Sequence, residues 1–221
     1  MELFIDTTSL EEVNKLSDIY PIRGITTNPL IFAKEFPDRN IQEYNKMIRD
    51  LASSKKILCV QPNGDTVEEM LKQSRELLEL TAGNDVYLKI PATVLGLEVI
   101  KQLSDAKILA TACMTWEQAM IFSQFDNVKY IAFYWGGMVD KGIDAANQIK
   151  KGIEAISHTT VKIMAAGFRN WTAVEQAMQV MPHAITISPS LFKEFDKSLN
   201  HPQTLYYCDR FNSTYQKFKE K

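Results

Sequence analysis

Short apolar runs rich in β-branched and aromatic residues alternate along the chain with longer segments in which apolar residues recur at helical spacing. Eight such runs occur, at residues 3–7, 24–28, 56–61, 86–91, 108–113, 130–135, 161–167 and 184–188. Neighbouring runs lie roughly 20 to 30 residues apart, which is the length of one strand followed by one helix. The pattern therefore predicts eight consecutive strand–helix units.

Two of the intervening segments carry clear helix-end signals. SLEEVNKLSDIY begins at Ser9 and has Glu12 three positions on, the spacing of a capped helix start. DTVEEMLKQSRELLELTAG begins at an acidic cap and stops at Gly83. Eight alternating units without a linker predict an α/β protein, a single (β/α)8 TIM barrel over residues 1–221. A doubly wound open sheet is the alternative, but the glycine-rich phosphate turn expected after its first strand is absent.

The segment that follows the eighth run is longer than a barrel needs. We expect residues from about 190 to 221 to form a helical C-terminal tail. Its aromatic side chains need an apolar surface, and a neighbouring subunit can supply one. These aromatics are Phe192, Phe195, Tyr206, Phe211, Tyr215 and Phe218.

Composition and charge exclude several classes of protein. A formal net charge of −2 and a pI near 6.0 give no electrostatic reason to expect nucleic acid or an anionic membrane as partner. The N-terminus carries acids where a signal peptide carries bases, and no run of 18 apolar residues occurs. Three dispersed cysteines and three dispersed histidines form no metal-ligand motif. We expect a cytoplasmic protein that needs neither metal nor cofactor.

Lys89 is the least expected residue of the fourth run, VYLKIP. It stands between Leu88 and Ile90 with no acid near it in sequence. Burial of an unpaired ammonium is costly and lowers the pKa of a lysine, by up to about 3–5 units for a fully buried group. When its pKa keeps the ordinary value near 10.4, only about one lysine in a few thousand is neutral at pH 7. Desolvation therefore favours an amine that attacks a carbonyl and forms a Schiff base.

Other polar residues fall at or near the C-terminal ends of the predicted strands, the end of a TIM barrel that carries its chemistry. Each has a structural explanation of its own, such as helix capping, strand propensity or core packing, and Lys89 can extend from a strand end to solvent. Taken together they predict one site. They are Asp6, Thr26, Thr27, Asn28, Gln61, Thr111, Tyr134, Arg169 and Ser188.

Roles can be assigned to several of these residues if Lys89 forms an imine. Carbon–carbon bond chemistry next to a protonated imine needs a proton shuttle, for which Tyr134 and Asp6 are candidates. Gln61 and Thr111 can hold a water molecule. Asn28 can hydrogen-bond a substrate hydroxyl.

The chain resembles the transaldolase family, on the evidence of FIDT in the first strand, GITTNP in the second, VQP after the third, KIP in the fourth and ATA in the fifth. Its length and spacing resemble the short branch that contains fructose-6-phosphate aldolase. The resemblance implies a metal-free class I aldolase with ring-like homo-oligomers, pentamers or decamers, in which the C-terminal helix reaches a neighbour. It implies a sugar or sugar phosphate as substrate.

Matched position by position, the resemblance implies that Lys89 is the Schiff-base lysine and that Asp6 lies near the substrate hydroxyls. Thr26 and Asn28 match donor-pocket residues, and Gln61 and Thr111 match the pair that holds the catalytic water. Transaldolases typically have Glu and Phe at the positions of Gln61 and Tyr134. The glutamine and tyrosine of this chain resemble the aldolase branch.

Two positions depart from the family pattern. Gly137 stands where the family usually has a phosphate-binding arginine, and Gly167 replaces a serine, whereas Arg169 is retained. Hydrogen bonds to charged groups contribute roughly 1.5–3 kcal/mol each, so we expect weaker phosphate recognition, by one or more factors of ten.

Three functions are compatible with these residues. A class I aldolase that joins a dihydroxyacetone-like ketone donor to an aldehyde is the leading hypothesis. A transaldolase of the pentose phosphate pathway and a non-catalytic sugar-binding or assembly protein are the alternatives.

Overall fold

The computed structural model describes residues 1–219, and its eight strands, all parallel, close into one barrel in sequence order. The last strand pairs with the first, so the sheet has no free edge. The strands are β1 (Glu2–Asp6), β2 (Ile22–Thr26), β3 (Ile57–Val60), β4 (Val86–Pro91), β5 (Lys107–Cys113), β6 (Val128–Tyr134), β7 (Lys162–Ala166) and β8 (Ala184–Ile187). The predicted (β/α)8 barrel is confirmed, and each strand overlaps its predicted run.

Eleven helices lie between and after the strands within the described residues. They are α1 (Leu10–Ser17), α2 (Pro29–Glu35), α3 (Ile41–Ala52), α4 (Val67–Leu80), α5 (Val94–Lys101), α6 (Trp116–Phe122), α7 (Trp135–Asp140), α8 (Ala145–Ala155), α9 (Trp171–Gln179), α10 (Pro189–Leu199) and α11 (Pro202–Lys219). None of them is long and apolar enough to cross a membrane.

Side-chain hydroxyls and amides begin most of these helices. Ser9 accepts a hydrogen bond from the backbone N–H of Glu12, as predicted. The cap of α4 is Thr66 rather than the acidic residue before it, and Glu69 completes a capping box. These caps fix the directions in which the chain leaves the strands.

The barrel interior follows from the alternation of side chains along each strand. In β4, Tyr87 points inward and belongs to a buried cluster with Phe4 and Tyr130, whereas Leu88 packs outward against the helices. The rings of Phe4 and Tyr87 lie 5.5 and 5.6 Å from that of Tyr130. At the N-terminal end, Glu2 accepts hydrogen bonds from Tyr130 and Lys162. Aromatic side chains thus pack the barrel interior and close it at the N-terminal ends of the strands.

The C-terminal tail divides into two unlike helices. Phe192 of α10 is 1% exposed and packs on Tyr20, whose hydroxyl donates to Asp196. No residue of α11 is buried, and Phe211 is 68% exposed. The tail's first aromatics are therefore covered by the chain's own barrel, and those of α11 are not. Residues 220 and 221 of the predicted tail lie outside the described residues.

A matched pair of substitutions tests this division. We expect Phe192→Ala to lower the free energy of unfolding by about 3–5 kcal/mol, because it leaves a cavity in the core. Phe211→Ala removes the same atoms from a position that the chain's own fold leaves exposed, so it is expected to cost less than about 0.5 kcal/mol in the dissociated chain. Urea unfolding over a series of protein concentrations measures both, because a contribution from a second copy grows with concentration. A cost for Phe211→Ala near that of Phe192→Ala at every concentration would contradict the exposure of α11 within the chain.

Candidate active site

A cavity of about 670 Å³ opens at the C-terminal ends of the strands. This is the end at which TIM barrels carry their sites. Most residues predicted for the site line this cavity. Those that do are Asp6, Thr26, Asn28, Gln61, Lys89, Thr111, Tyr134 and Gly167.

Lys89 lies one layer above the aromatic filling of the barrel. It is two positions after Tyr87 on β4, so strand alternation points both side chains inward. Its side chain is buried, at 6% exposure, and its Nζ donates a hydrogen bond to the backbone carbonyl of Thr27 at 3.1 Å. Burial lowers the pKa of Lys89, while the nearby Asp6 and Cys59 oppose that shift. The structure thus brings this lysine to the floor of the cavity in the environment that favours a neutral amine.

Asp6 is the acidic partner inside the barrel. The hydroxyl of Thr26 donates to Asp6 Oδ1 at 2.6 Å and lies 2.7 Å from the hydroxyl of Thr186. Burial raises the pKa of Asp6, whereas Lys89 and the Thr26 hydrogen bond oppose the rise. Asp6 and Lys89 thus shift in opposite directions, each toward its neutral form. A carboxyl and an amine whose pKa values are shifted in this way are candidates to exchange protons with a bound substrate.

The end of β5 is distorted where it meets the cavity. The register with β6 shifts between Ala110 and Cys113, and Ala112 has φ of 55°. A non-glycine residue in this left-handed region costs roughly 1–2 kcal/mol. The carbonyl of Thr111 accepts a hydrogen bond from Ala92 at 2.8 Å, which ties the distorted segment to β4. Strain of this kind is typical of functional sites, and both Thr111 and Ala112 line the cavity here.

Asn28 caps a helix and also lines the cavity. Its Oδ1 accepts the backbone N–H of Ile31 at 3.0 Å and so caps α2. Because the oxygen is used in this way, the amide nitrogen is the group that Asn28 can offer to a substrate hydroxyl. Asn63 also lines the cavity, as do the apolar side chains of Leu30 and Ile31.

Three predicted residues do not line the cavity: Thr27, Arg169 and Ser188. The side chain of Thr27 is fully buried in the wall, and only its carbonyl reaches Lys89. Arg169 is exposed outside the mouth, where both terminal guanidinium nitrogens bind the carboxylate of Asp140. This hydrogen bond raises the pKa of Arg169, to which the nearby Tyr134 also contributes.

Several cavity residues were missed from the sequence. Thr186, Met164 and Ala166 line the cavity, whereas Ser188 was the residue predicted from the eighth strand. Strand alternation would have found Thr186, since it has the same parity as the inward-facing Ala184. Asn63 lies on the loop after β3, and no periodic signal marks it.

Comparison with known proteins agrees with this geometry. The sequence profile of the transaldolase/fructose-6-phosphate aldolase family matches residues 3–221. The chain belongs to that family. A probable fructose-6-phosphate aldolase from Streptococcus pneumoniae is 34% identical over 197 residues, 87% of each chain. A probable transaldolase from Clostridium kluyveri is 28% identical over the full length of both chains. The resemblance read from the strand-end motifs is therefore confirmed, and family membership supports an aldolase or transaldolase activity.

More distant structures share the fold alone. A dihydrodipicolinate synthase from Bacillus anthracis superposes with a TM-score of 0.63 at 12% identity, covering 93% of this chain and 76% of that one. At this identity the likeness supports the barrel and says nothing about the reaction.

The environment of Lys89 predicts a pH dependence that labelling can measure. Acetic anhydride acylates neutral amines, so a lysine with a lowered pKa reacts at lower pH. Lys107 is the comparison, because its hydrogen bond with Asp85 raises its pKa. We expect the midpoint for Lys89 to lie below that for Lys107, as quantified by peptide mass spectrometry. Asp6→Asn should lower the Lys89 midpoint further, because it removes a charge that stabilises the ammonium.

Equal midpoints for the two lysines in the unmodified protein would contradict the assignment of Lys89 as the reactive amine.

Proposed function

We propose that this protein is a class I aldolase of the fructose-6-phosphate aldolase type. It acts on a dihydroxyacetone-like ketone donor and an aldehyde acceptor, with Lys89 as the Schiff-base residue. The observation that carries the proposal is a single lysine buried on the cavity floor with its pKa lowered, beside an acid whose pKa is raised.

The reaction begins when the neutral Nζ of Lys89 attacks the donor carbonyl. The resulting carbinolamine loses water and leaves a protonated imine. Removal of a proton from the adjacent carbon gives an enamine, which attacks the carbonyl carbon of the aldehyde and forms the new carbon–carbon bond. Water then hydrolyses the imine, so that the product leaves and the amine is restored. Cleavage is the same sequence in reverse.

Proton transfers in this sequence need groups beside the reacting carbons. Tyr134 carries a hydroxyl at the cavity mouth, and Asp6 carries a carboxyl near Lys89. In our proposal Tyr134 moves the proton at the carbon that reacts, and Asp6 binds donor hydroxyls. Gln61 and Thr111 position the water that forms and breaks the imine.

Transaldolase is the second candidate, favoured by the Clostridium kluyveri relative. The two activities share the imine and differ in whether the donor fragment leaves as a free ketone. Gln61 and Tyr134 support the aldolase, since the family's transaldolases typically carry Glu and Phe there.

Borohydride trapping tests the covalent step. Incubation with dihydroxyacetone and sodium borohydride should add one dihydroxypropyl group at Lys89, as located by peptide mass spectrometry. Lys89→Met should abolish the adduct, and Lys107→Met, the matched control at an exposed lysine, should leave it unchanged. An adduct that persists in Lys89→Met, or no adduct with any ketone donor, would refute the mechanism.

Release of free dihydroxyacetone separates the two activities. With fructose or fructose 6-phosphate as the only substrate, an aldolase liberates dihydroxyacetone at every turnover. A transaldolase turns over only when an aldehyde acceptor is added. We expect release without an acceptor, and strict dependence on one would assign the enzyme as a transaldolase.

We also propose that the protein forms homo-oligomers through α11. Its exposed aromatic residues support this, because a row of uncovered rings is costly in water. They include Tyr206, Tyr207, Phe211, Tyr215 and Phe218. Light scattering measures the mass directly, and a doubly substituted Phe211→Ser, Tyr215→Ser chain should be smaller than the unmodified protein. A monomeric unmodified protein would contradict the proposal.

A further inference from the structure

The charges of the cavity point to a particular kind of substrate. Among the described lining residues, Lys89 is the one cation and Asp6 is the one acid. Phosphate groups bind through charge-assisted hydrogen bonds from Arg or Lys, or through free N–H groups at helix starts. In the proposed mechanism Lys89 is bonded to the donor. The polar groups left for an acceptor are neutral, chiefly the side chains of Asn28, Gln61, Asn63 and Thr111.

Arg169 lies outside the mouth, and its two terminal nitrogens are already paired. Its Nη1 donates to Asp140 Oδ1 at 2.6 Å, and its Nη2 donates to the second oxygen of the same carboxylate. This two-point pairing is the geometry with which a guanidinium would hold a phosphate. A phosphate that took this two-point geometry must displace Asp140, and a phosphate bound elsewhere on the guanidinium would still experience the negative charge of Asp140.

The Tyr134 ring occupies the space between two glycines. A Cβ added to Gly137 would lie 2.6 Å from Cδ1 of the ring, and one added to Gly167 would overlap the opposite edge, at Cδ2 and Cε2. Real Cβ atoms essentially never approach other heavy atoms closer than 3.0 Å. A side chain at either position would therefore move the ring. Gly167 also has φ of 77°, a conformation that side chains rarely adopt.

Two of the peptide donors near the mouth are also occupied. The N–H of Gly136, near the start of α7, donates to the carbonyl of Gly167 at 3.1 Å. The N–H of Ile31, in the first turn of α2, donates to the capping oxygen of Asn28. These two donors are thus used within the protein, and Leu30 and Ile31 add apolar side chains to the cavity lining.

We propose that the acceptor is an uncharged hydroxyaldehyde without a phosphate group, and that Tyr134, seated between Gly137 and Gly167, together with the Arg169–Asp140 pair makes the mouth selective for it. The inference rests on the proposed aldolase function and names its substrate class. Gly137 and Gly167 are positioning residues, because they act through the ring that they admit.

Competition between two acceptors tests the substrate class in the unmodified protein. With dihydroxyacetone as donor, kcat/KM is measured for D-glyceraldehyde and for D-glyceraldehyde 3-phosphate. We expect at least a tenfold preference for the unphosphorylated aldehyde. Equal values, or a preference for the phosphate, would overturn the inference.

Freeing Arg169 should shift this preference. Asp140→Asn keeps the shape of the side chain and removes the charge that pairs with the guanidinium. We expect kcat/KM for the phosphorylated aldehyde to rise about tenfold, with little change for glyceraldehyde. An unchanged ratio would contradict the role assigned to the Arg169–Asp140 pair.

Alanine substitutions test the glycine positions against a matched control. Gly167→Ala is expected to reduce kcat at least tenfold and to shift its pH profile, because the ring that carries the Tyr134 hydroxyl must move. Gly142 has a similar φ of 68° with nothing within 4 Å of an added Cβ, so Gly142→Ala imposes the backbone strain alone. Equal losses in the two variants would refute the positioning role.

The trapping experiment keeps the two proposals separable. If dihydroxyacetone forms an adduct at Lys89 and the phosphorylated aldehyde is nevertheless preferred, only the substrate class is wrong. If no ketone donor forms an adduct, the aldolase function itself is wrong.

Discussion

The site depends on the apolar layer that fills the barrel beneath Lys89. Closing eight parallel strands forces every second side chain inward, and the interior must be packed by what those positions carry. Phe4, Tyr87, Leu109, Tyr130 and Met164 meet this requirement. They exclude water from below, so the Lys89 amine is surrounded by the Thr27 carbonyl, by Asp6 and Cys59 nearby and by whatever enters the cavity. The layer that stabilises the barrel is thus also the cause of the lowered pKa of the lysine.

Desolvation and charge attraction oppose each other at this pair. Burial favours the neutral forms of Lys89 and Asp6, and each charge would stabilise the other. Burial is the larger effect for both groups, so an uncharged amine becomes accessible. An isolated buried lysine would be neutral but would have no acid at hand. The hydrogen bond from Thr26 holds the carboxyl in place, as the proton exchange that we propose for this pair requires.

Much of this could be predicted from the sequence, for a physical reason. Barrel strands are short apolar runs with regular spacing, and the polar residue at the end of each run points to one face. This rule located Asp6, Gln61, Lys89 and Thr111 on the cavity wall. It placed Thr27 in the site although strand alternation turns its side chain away, and it missed Thr186, which alternation turns inward. The Thr111–Ala112 distortion and the Arg169–Asp140 pair depend on loop geometry. The alternation of inward and outward side chains along a strand does not encode that geometry.

The two glycines also show why substitutions at a site cannot be counted one at a time. If each position is considered separately, Gly137 and Gly167 each lack the side chain that the family usually has there. Each would then weaken phosphate recognition by a fixed amount. In the structure they flank opposite edges of one ring, so either side chain alone would exclude Tyr134 from its observed position. With the ring between them, Arg169 stands outside the cavity and pairs with Asp140. The absence of two side chains is therefore coupled to the position of a third, and in our proposal that coupling sets which acceptors the mouth admits.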